Sequence, residues 1–278
     1  MTTATLSSHD EAGKEKGDDS MDETSHEPGM VGRFLRTHAV RIVTGVVLLI
    51  LVCGVMSVYV PYQREQRIAR KIETLEGAVN WHYRGPDWVP LSWRDRMSFC
   101  DRIATVGLDG RELPADLFSE LGSLTNLDWL SLSGTKFREG DLKSLKGLTG
   151  LETLQLSQTD VTDAGLEHLK GLTSLRQLML DHTVVTGAGL EHLKGLVRLK
   201  ELYLHHTHVA DAGLESLKGL ERLERLELYN TQVTDAGLEP LKGLTNLQYL
   251  FLQDTQVTAE GKASLRKVLP GCRILPEP

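Results

Sequence analysis

The stretch LTSLRQLMLDHTVVTGAGLEHLKG, residues 172–195, decides the fold. Its leucines belong to columns that return every 24 residues. Leu130, Leu154, Leu178, Leu202, Leu226 and Leu250 form one, and Leu132, Leu156, Leu180, Leu204, Leu228 and Leu252 the next. A fixed period of this length means stacked coils of chain, a solenoid. Val106 and Leu108 continue both columns backwards and Ile274 continues one forwards, so the array starts near residue 101 and ends on a partial strand.

The two halves of each unit carry different periods. Leu178 and Leu180 alternate with Gln177, Met179 and Asp181, the pattern of a strand with one buried face. Leu190 and Leu193 follow Thr186, an expected N-cap, and precede Gly195, an expected left-handed stop, which predicts a short helix. About seven apolar side chains per coil then point inward, each contributing roughly 1.5–3 kcal/mol. A threonine column, Thr135, Thr159, Thr183, Thr207, Thr231 and Thr255, stands just after each strand, where its hydroxyls are suited to backbone groups leaving the ladder. Pro240 falls inside one expected helix and predicts its distortion.

The consensus LxxLxLxxT followed by VTDAGLEHLKGL, as in residues 151–172, resembles the leucine-rich repeat family. The 24-residue form with threonine at the turn is similar to the bacterial type, notably the membrane-anchored proteins of planctomycetes. LRKVLPGCRI, residues 265–274, resembles the C-terminal end of such arrays. The resemblance implies an α/β leucine-rich repeat solenoid, with parallel strands on the concave face and short helices on the convex one. It also implies a platform for partner proteins and not an enzyme. The VTDAGL half is similar to F-box ubiquitin-ligase receptors too, but the remaining sequence has no F-box segment.

Outside the array the charge is partitioned. Residues 1–32 hold eight Asp/Glu against two Lys, residues 33–71 seven Lys/Arg against one Glu, and the whole chain carries −7. Residues 1–38 are read as a disordered acidic tail with a basic flank, because almost no large apolar side chain is present to offset ordering entropy. Ile42–Val60, within an expected transmembrane helix at 39–61, is 19 residues without a charge. A helix of that length spans about 28 Å, the thickness of a bilayer core. Too many residues precede it for a cleaved signal peptide, so it is read as a retained anchor, and Cys53 within it as an inert thiol. The flanking cations are too evenly divided to set the side on which residues 101–278 lie. Residues 62–100 are expected to form a juxtamembrane helix, with Ile68, Ile72 and Leu75 on one face, and a cap sealed by Trp81, Trp88 and Trp93. Three scattered cysteines support neither a disulfide framework nor a thiolate metal site.

Side chains alternating with the buried leucines face the concave sheet. Seven strands at ~4.8 Å make a ribbon about 30 Å wide. Trp129, Met179, Glu201 and Tyr203 are candidate partner-binding residues there. So are His205, Arg225 and Glu227, with Tyr229, Tyr249 and Phe251 completing an aromatic-rich C-terminal half beside a cation. The expectation is a membrane-bound platform for a protein or peptide. Two alternatives stay open: a metal site at Asp181, His182, His205, His206 and His208, and a purely architectural role in the envelope. His168 and His192 read as solvated surface residues. The chain lacks HExxH, GxSxG, GxGxxG and P-loop motifs, so no catalytic residue and no cofactor is expected. The acidic balance argues against nucleic acid.

Overall fold

A computed structural model describes residues 30–87, 89–94 and 96–276; the expected tail up to residue 29 and Trp88 lie outside them. The chain divides into two compact units, Met1–Gly54 and Val55–Pro278. Helix α1 (Met30–Thr74) begins in the first. Arg41–Thr74 is long and apolar enough to cross a membrane, by length and composition. Ile42, Leu48, Leu49, Ile50 and Leu51 each leave more than half their surface exposed, which in water is unfavourable for a run of this length.

In the second unit, β1 (Ala78–Tyr83) is followed by the short α2 (Leu91–Arg94), β2 (Asp101–Gly107) and α3 (Ala115–Leu121). Seven three-residue strands then repeat: β3 (Trp129–Ser131), β4 (Thr153–Gln155), β5 (Gln177–Met179), β6 (Glu201–Tyr203), β7 (Arg225–Glu227), β8 (Tyr249–Phe251) and β9 (Arg273–Leu275). The nine strands form one sheet in chain order. β2 to β9 are parallel, with Val106, Leu130, Leu154, Leu178, Leu202, Leu226, Leu250 and Ile274 in register. The expected ribbon of seven strands is therefore one parallel strand short. β1, antiparallel to β2, was not anticipated either, although Val79, Trp81 and Tyr83 alternate with more exposed residues.

The fold is thus a leucine-rich repeat solenoid, its core one continuous cluster from Ile68 to Ile274 in which leucine predominates. Its convex side differs from the expectation. Only α4 (Asp163–Glu167), α5 (Asp211–Leu214) and α6 (Ala259–Val268) in the later repeats are α-helical. Residues 139–147, 189–193, 215–217, 235–238 and 240–243 are 3₁₀ turns. Leu190, Leu193, Leu196 and Leu199 recur every three residues, a spacing that a 3₁₀ turn accommodates; α4 and α5 share it, at Leu166 and Leu169 and at Leu214 and Leu217, and each lasts little more than one turn. Pro240 starts its own 3₁₀ turn, where a missing N–H costs nothing.

Gly195 is not the left-handed residue. That conformation occupies another column, Gly110, Gly134, Gln158, His182, His206, Asn230 and Asp254, with φ between 52° and 67°. From Gly134 to Asp254 each directly precedes the column threonine, and from Gly110 to Asn230 the N–H continues the ladder: His182 donates to the His205 carbonyl and His206 to that of Tyr229, both at 3.1 Å. The threonine hydroxyls donate to the carbonyl three residues back, as in Thr183 to Leu180 at 2.6 Å and Thr159 to Leu156 at 2.6 Å.

The following turn starts at Gly189 with Ala188 in the cap position, one turn residue later than expected, but Thr186 Oγ1 still accepts from Ala188 N at 3.2 Å. Thr186 also joins a clamp between coils. Asp163 accepts from Thr186 N at 2.8 Å and Thr186 Oγ1 at 2.6 Å; Asp211 does the same for Thr234, and Asp235 for Thr258. Where Gly187 replaces the aspartate, Ala210 replaces its threonine 23 residues on. The glycine of DAGL, and Gly261 at the same place in AEGK, make room: a Cβ on Gly237 would lie 2.4 Å from Asp211 Oδ1, and one on Gly261 2.0 Å from Asp235 Oδ1.

The N-terminal end of the core is closed by the last turns of α1, not by a tryptophan seal. Ile68, Ala69 and Ile72 are buried, and Trp81 packs only partly against the core, whereas Trp93 is 63% exposed. Glu65 Oε2 accepts from Ile103 N at 2.8 Å and Arg102 Nη2 donates to the Val58 carbonyl at 3.1 Å, fixing this segment on β2. At the other end Leu265 of α6 and Cys272 are buried, and burial pushes the Cys272 thiol up to about 11. The three cysteines are free.

Candidate functional site

The strand columns bring the concave candidates together in one connected polar and aromatic network. Gln177 Nε2 donates to Glu201 Oε2 at 3.0 Å, and the Tyr203 hydroxyl donates to the same oxygen at 2.6 Å. Burial, then the hydrogen bond to the Glu201 carboxylate, pushes the Tyr203 phenol up to about 12. Arg225 is stacked between two rings, its Cζ 5.6 Å from the Tyr203 centroid and 4.7 Å from that of Phe251. Its Nε donates to Glu227 Oε1 at 2.8 Å and its Nη2 lies 2.6 Å from the same atom.

Two of the candidates are not available as open contact surface: Glu227 is 6% and His205 9% exposed. His205 stacks on Tyr229 with centroids 4.1 Å apart and 14° between planes. Its Nδ1 lies 3.3 Å from Glu227 Oε2 and its Nε2 3.5 Å from Asp181 Oδ2. Burial alone would raise the Glu227 carboxyl, but His205 and Arg225 beside it outweigh that and hold it below the usual carboxylate range. Two of the candidate rings are thus engaged within the chain: Tyr203 with Glu201 and Arg225, and Tyr229 with His205. Tyr249, 37% exposed, and half-buried Phe251 and Met179 remain accessible. Trp129 lies away from this cluster, leaning over Gly107 of β2.

The histidines divide. β6 ends at Tyr203, so His205 and His206 are not on alternating strand positions. His206, left-handed, stacks on His182 of the coil before, with centroids 4.2 Å apart, and touches the Asn230 amide of the coil after. Burial, with His182 next in importance, lowers the His206 imidazole. His208 pairs by backbone with Thr186 towards the convex side, away from the grouping expected for it. Among the described residues, the histidines and carboxylates grouped with mutually close ligand atoms are Asp181, His182 and His205. Reading the sequence one rung at a time missed Glu227 and Ser157 as their neighbours. The signal was present in the 24-residue columns, which put Ser157, Asp181, His205 and Tyr229 in one line.

Residues 197–257 match the family model described as leucine rich repeat, and residues 148–170 match a second model of the same description. Among curated proteins none matches the chain. Among solved structures, an internalin (inlF) from Listeria monocytogenes is 27% identical over 58% of this chain, with a TM-score of 0.50. A Leptospira interrogans leucine-rich repeat protein, LIC12759, is 25% identical over 59% of this chain at 0.44. An internalin C2 of Listeria monocytogenes is 23% identical over 64% of this chain and 80% of its own, at 0.49. The chain spans 44% of the length of the first and 45% of the second. With the periodic core already in view, residues 148–170 and 197–257 carry the leucine-rich repeat signature, and the solenoid is similar to a bacterial internalin-type domain.

Proposed function

We propose that this chain is a membrane-anchored binding protein whose concave face, between β6 and β8, takes a protein or peptide ligand. The observation that carries the reading is Arg225, held between the rings of Tyr203 and Phe251 with part of its guanidinium still exposed and Tyr249 open beside it. A fixed cation ringed by rigid aromatics has the composition of an interface hot spot and loses little entropy on binding. The reading is one of binding and not of catalysis, because the network holds its acids and bases tied to one another. His205 and Glu227 act from beneath, ordering Arg225 and Tyr229, and Glu201 orders Tyr203. Trp129 and Met179 extend the surface towards the first coils. The anchor is the apolar stretch 39–61, in a division with the tail at 1–38, the neck and cap at 62–100 and the solenoid at 101–278.

A photo-reactive residue placed at Tyr249 should cross-link a defined protein in cells, whereas one at Val197, exposed in the turn that leads to β6, should not. Arg225→Ala or Phe251→Ala should abolish that cross-link, since loss of a hot-spot side chain costs about 2 kcal/mol or more. Equal products from both positions, unaffected by Arg225→Ala, would contradict the concave reading. Alkaline carbonate should leave the full chain in the membrane pellet; release would contradict the anchor.

A further inference from the structure

We propose that Asp181, His182 and His205 form a binding site for one divalent transition-metal ion, with Zn²⁺ the best match to its ligand set. The donors lie within 4.8 Å of one another. Asp181 Oδ2 is 3.4 Å from His182 Nδ1 and 3.5 Å from His205 Nε2. Two donors each about 2.0–2.1 Å from a tetrahedral zinc stand roughly 3.3–3.4 Å apart, so both of these edges already have the length a bound ion requires. The third edge closes by rotation of His182, whose side chain is 43% exposed and gives up its stack on His206 as it turns.

The surroundings are those of ligands held for a metal. Asp181 spends its other oxygen, Oδ1, on the Ser157 hydroxyl, which donates at 2.5 Å and leaves Oδ2 facing the two imidazoles. His205 has a carboxylate at each ring nitrogen, Glu227 at Nδ1 and Asp181 at Nε2. A neutral imidazole has one N–H to offer. Nδ1 is buried and makes no aligned hydrogen bond, although Glu227 Oε2 lies 3.3 Å from it. With the proton on Nδ1, the Nε2 lone pair meets the Asp181 lone pair head on, an unfavourable contact that a cation between them converts into two coordinate bonds. A small turn of the ring aligns Nδ1–H with Glu227, which then serves as the outer carboxylate of a metal-bound histidine, and Arg225 holds Glu227 in place. Tyr229, stacked on the His205 ring, fixes its plane. Two imidazoles and one carboxylate suit Zn²⁺, Cu²⁺ or Ni²⁺ over Mg²⁺ or Ca²⁺, which prefer oxygen donors alone. The fourth position opens beside exposed His182, where water or a group from a binding partner completes the shell. The site stands whether or not the concave face carries a ligand.

The test is metal titration of the full chain in detergent after chelator treatment, with bound zinc counted by elemental analysis and Co²⁺ used to report geometry by its visible absorption. The expected result is about one zinc retained per chain, with a tetrahedral Co²⁺ spectrum displaced by Zn²⁺. His182→Ala, a surface change that leaves the core intact, should weaken binding by about a hundredfold or more, and His205→Gln likewise. Glu227→Gln should weaken it by about 10–100-fold. His208→Ala should leave it unchanged. No stoichiometric binding at micromolar zinc, or equal affinity in His182→Ala, would overturn the proposal.

Discussion

Half-burial beside an anion sets the chemistry of Tyr203. Deprotonating its phenol would place a second negative charge against Glu201 Oε2 and break the 2.6 Å hydrogen bond it donates. Its pKa is accordingly pushed up to about 12. In a spectrophotometric titration of the six tyrosines, Tyr203 should be the latest to ionise among the folded phenols on the solenoid, and Tyr203→Phe should remove that late step. A late step that survives Tyr203→Phe would show that the hydroxyl is freer than its contacts imply. At the same scale, Gln158, His182, His206, Asn230 and Asp254 share a left-handed backbone with Gly110 and Gly134. A side chain there costs about 1–2 kcal/mol relative to the right-handed well, yet five repeats carry one. In the two histidine repeats the side chains recover part of that cost by stacking on each other at 4.2 Å.

Between elements, the aspartate–threonine clamp holds successive convex turns together. Asp211 receives two donors from Thr234, at 2.7 and 2.6 Å, across 23 residues. Asp211→Ala should destabilise the chain by about 2 kcal/mol, as expected for charge-assisted hydrogen bonds, measured as a shift of the denaturation midpoint. Gly237→Ala should also destabilise, because the added Cβ meets Asp211 Oδ1 at 2.4 Å. Much of that clash vanishes once Asp211 is alanine. The double variant should therefore lose less than the sum of the two single losses, and strict additivity would mean that the clamp and the glycine are unrelated. The end of α1 plays a comparable part at the first coil, since Ile72 is fully buried there. Ile72→Ala should cost about 2–5 kcal/mol and release the amides of β2 to hydrogen exchange before those of β6.

For the whole molecule, stability is a sum over neighbouring coils, so damage in the middle separates the array into two weaker halves. Leu178→Ala leaves a cavity between Leu154 and Leu202, its register partners on either side. The expected loss is about 2–5 kcal/mol, with a broadened transition as the halves uncouple; an unchanged melting temperature would contradict the inward assignment. The leucine rows, the threonine column and the alternation of concave positions were all legible in the sequence, because a strict period turns linear spacing into spatial adjacency. The convex turns were legible too in the threefold leucine spacing, which was read as helix although a 3₁₀ turn accommodates it as well. β1 was not anticipated, since its partner lies across a non-repeating loop and no column points to it. Nor was the closing of the core by Ile68 and Ile72, whose amphipathic pattern shows that one face is apolar but not what covers it.

The candidate site divides in the same way. The sequence by itself determined the solenoid, its register, the apolar stretch at 42–60 and which side chains share the concave sheet, because each depends on local periodicity or composition. Only the tertiary structure decided that His205 and Glu227 are buried, that Arg225 lies between two rings, and that Asp181, His182 and His205 converge. Those contacts depend on the direction each side chain takes where the strand ends and the backbone turns left-handed, and that direction is fixed by the coils above and below it.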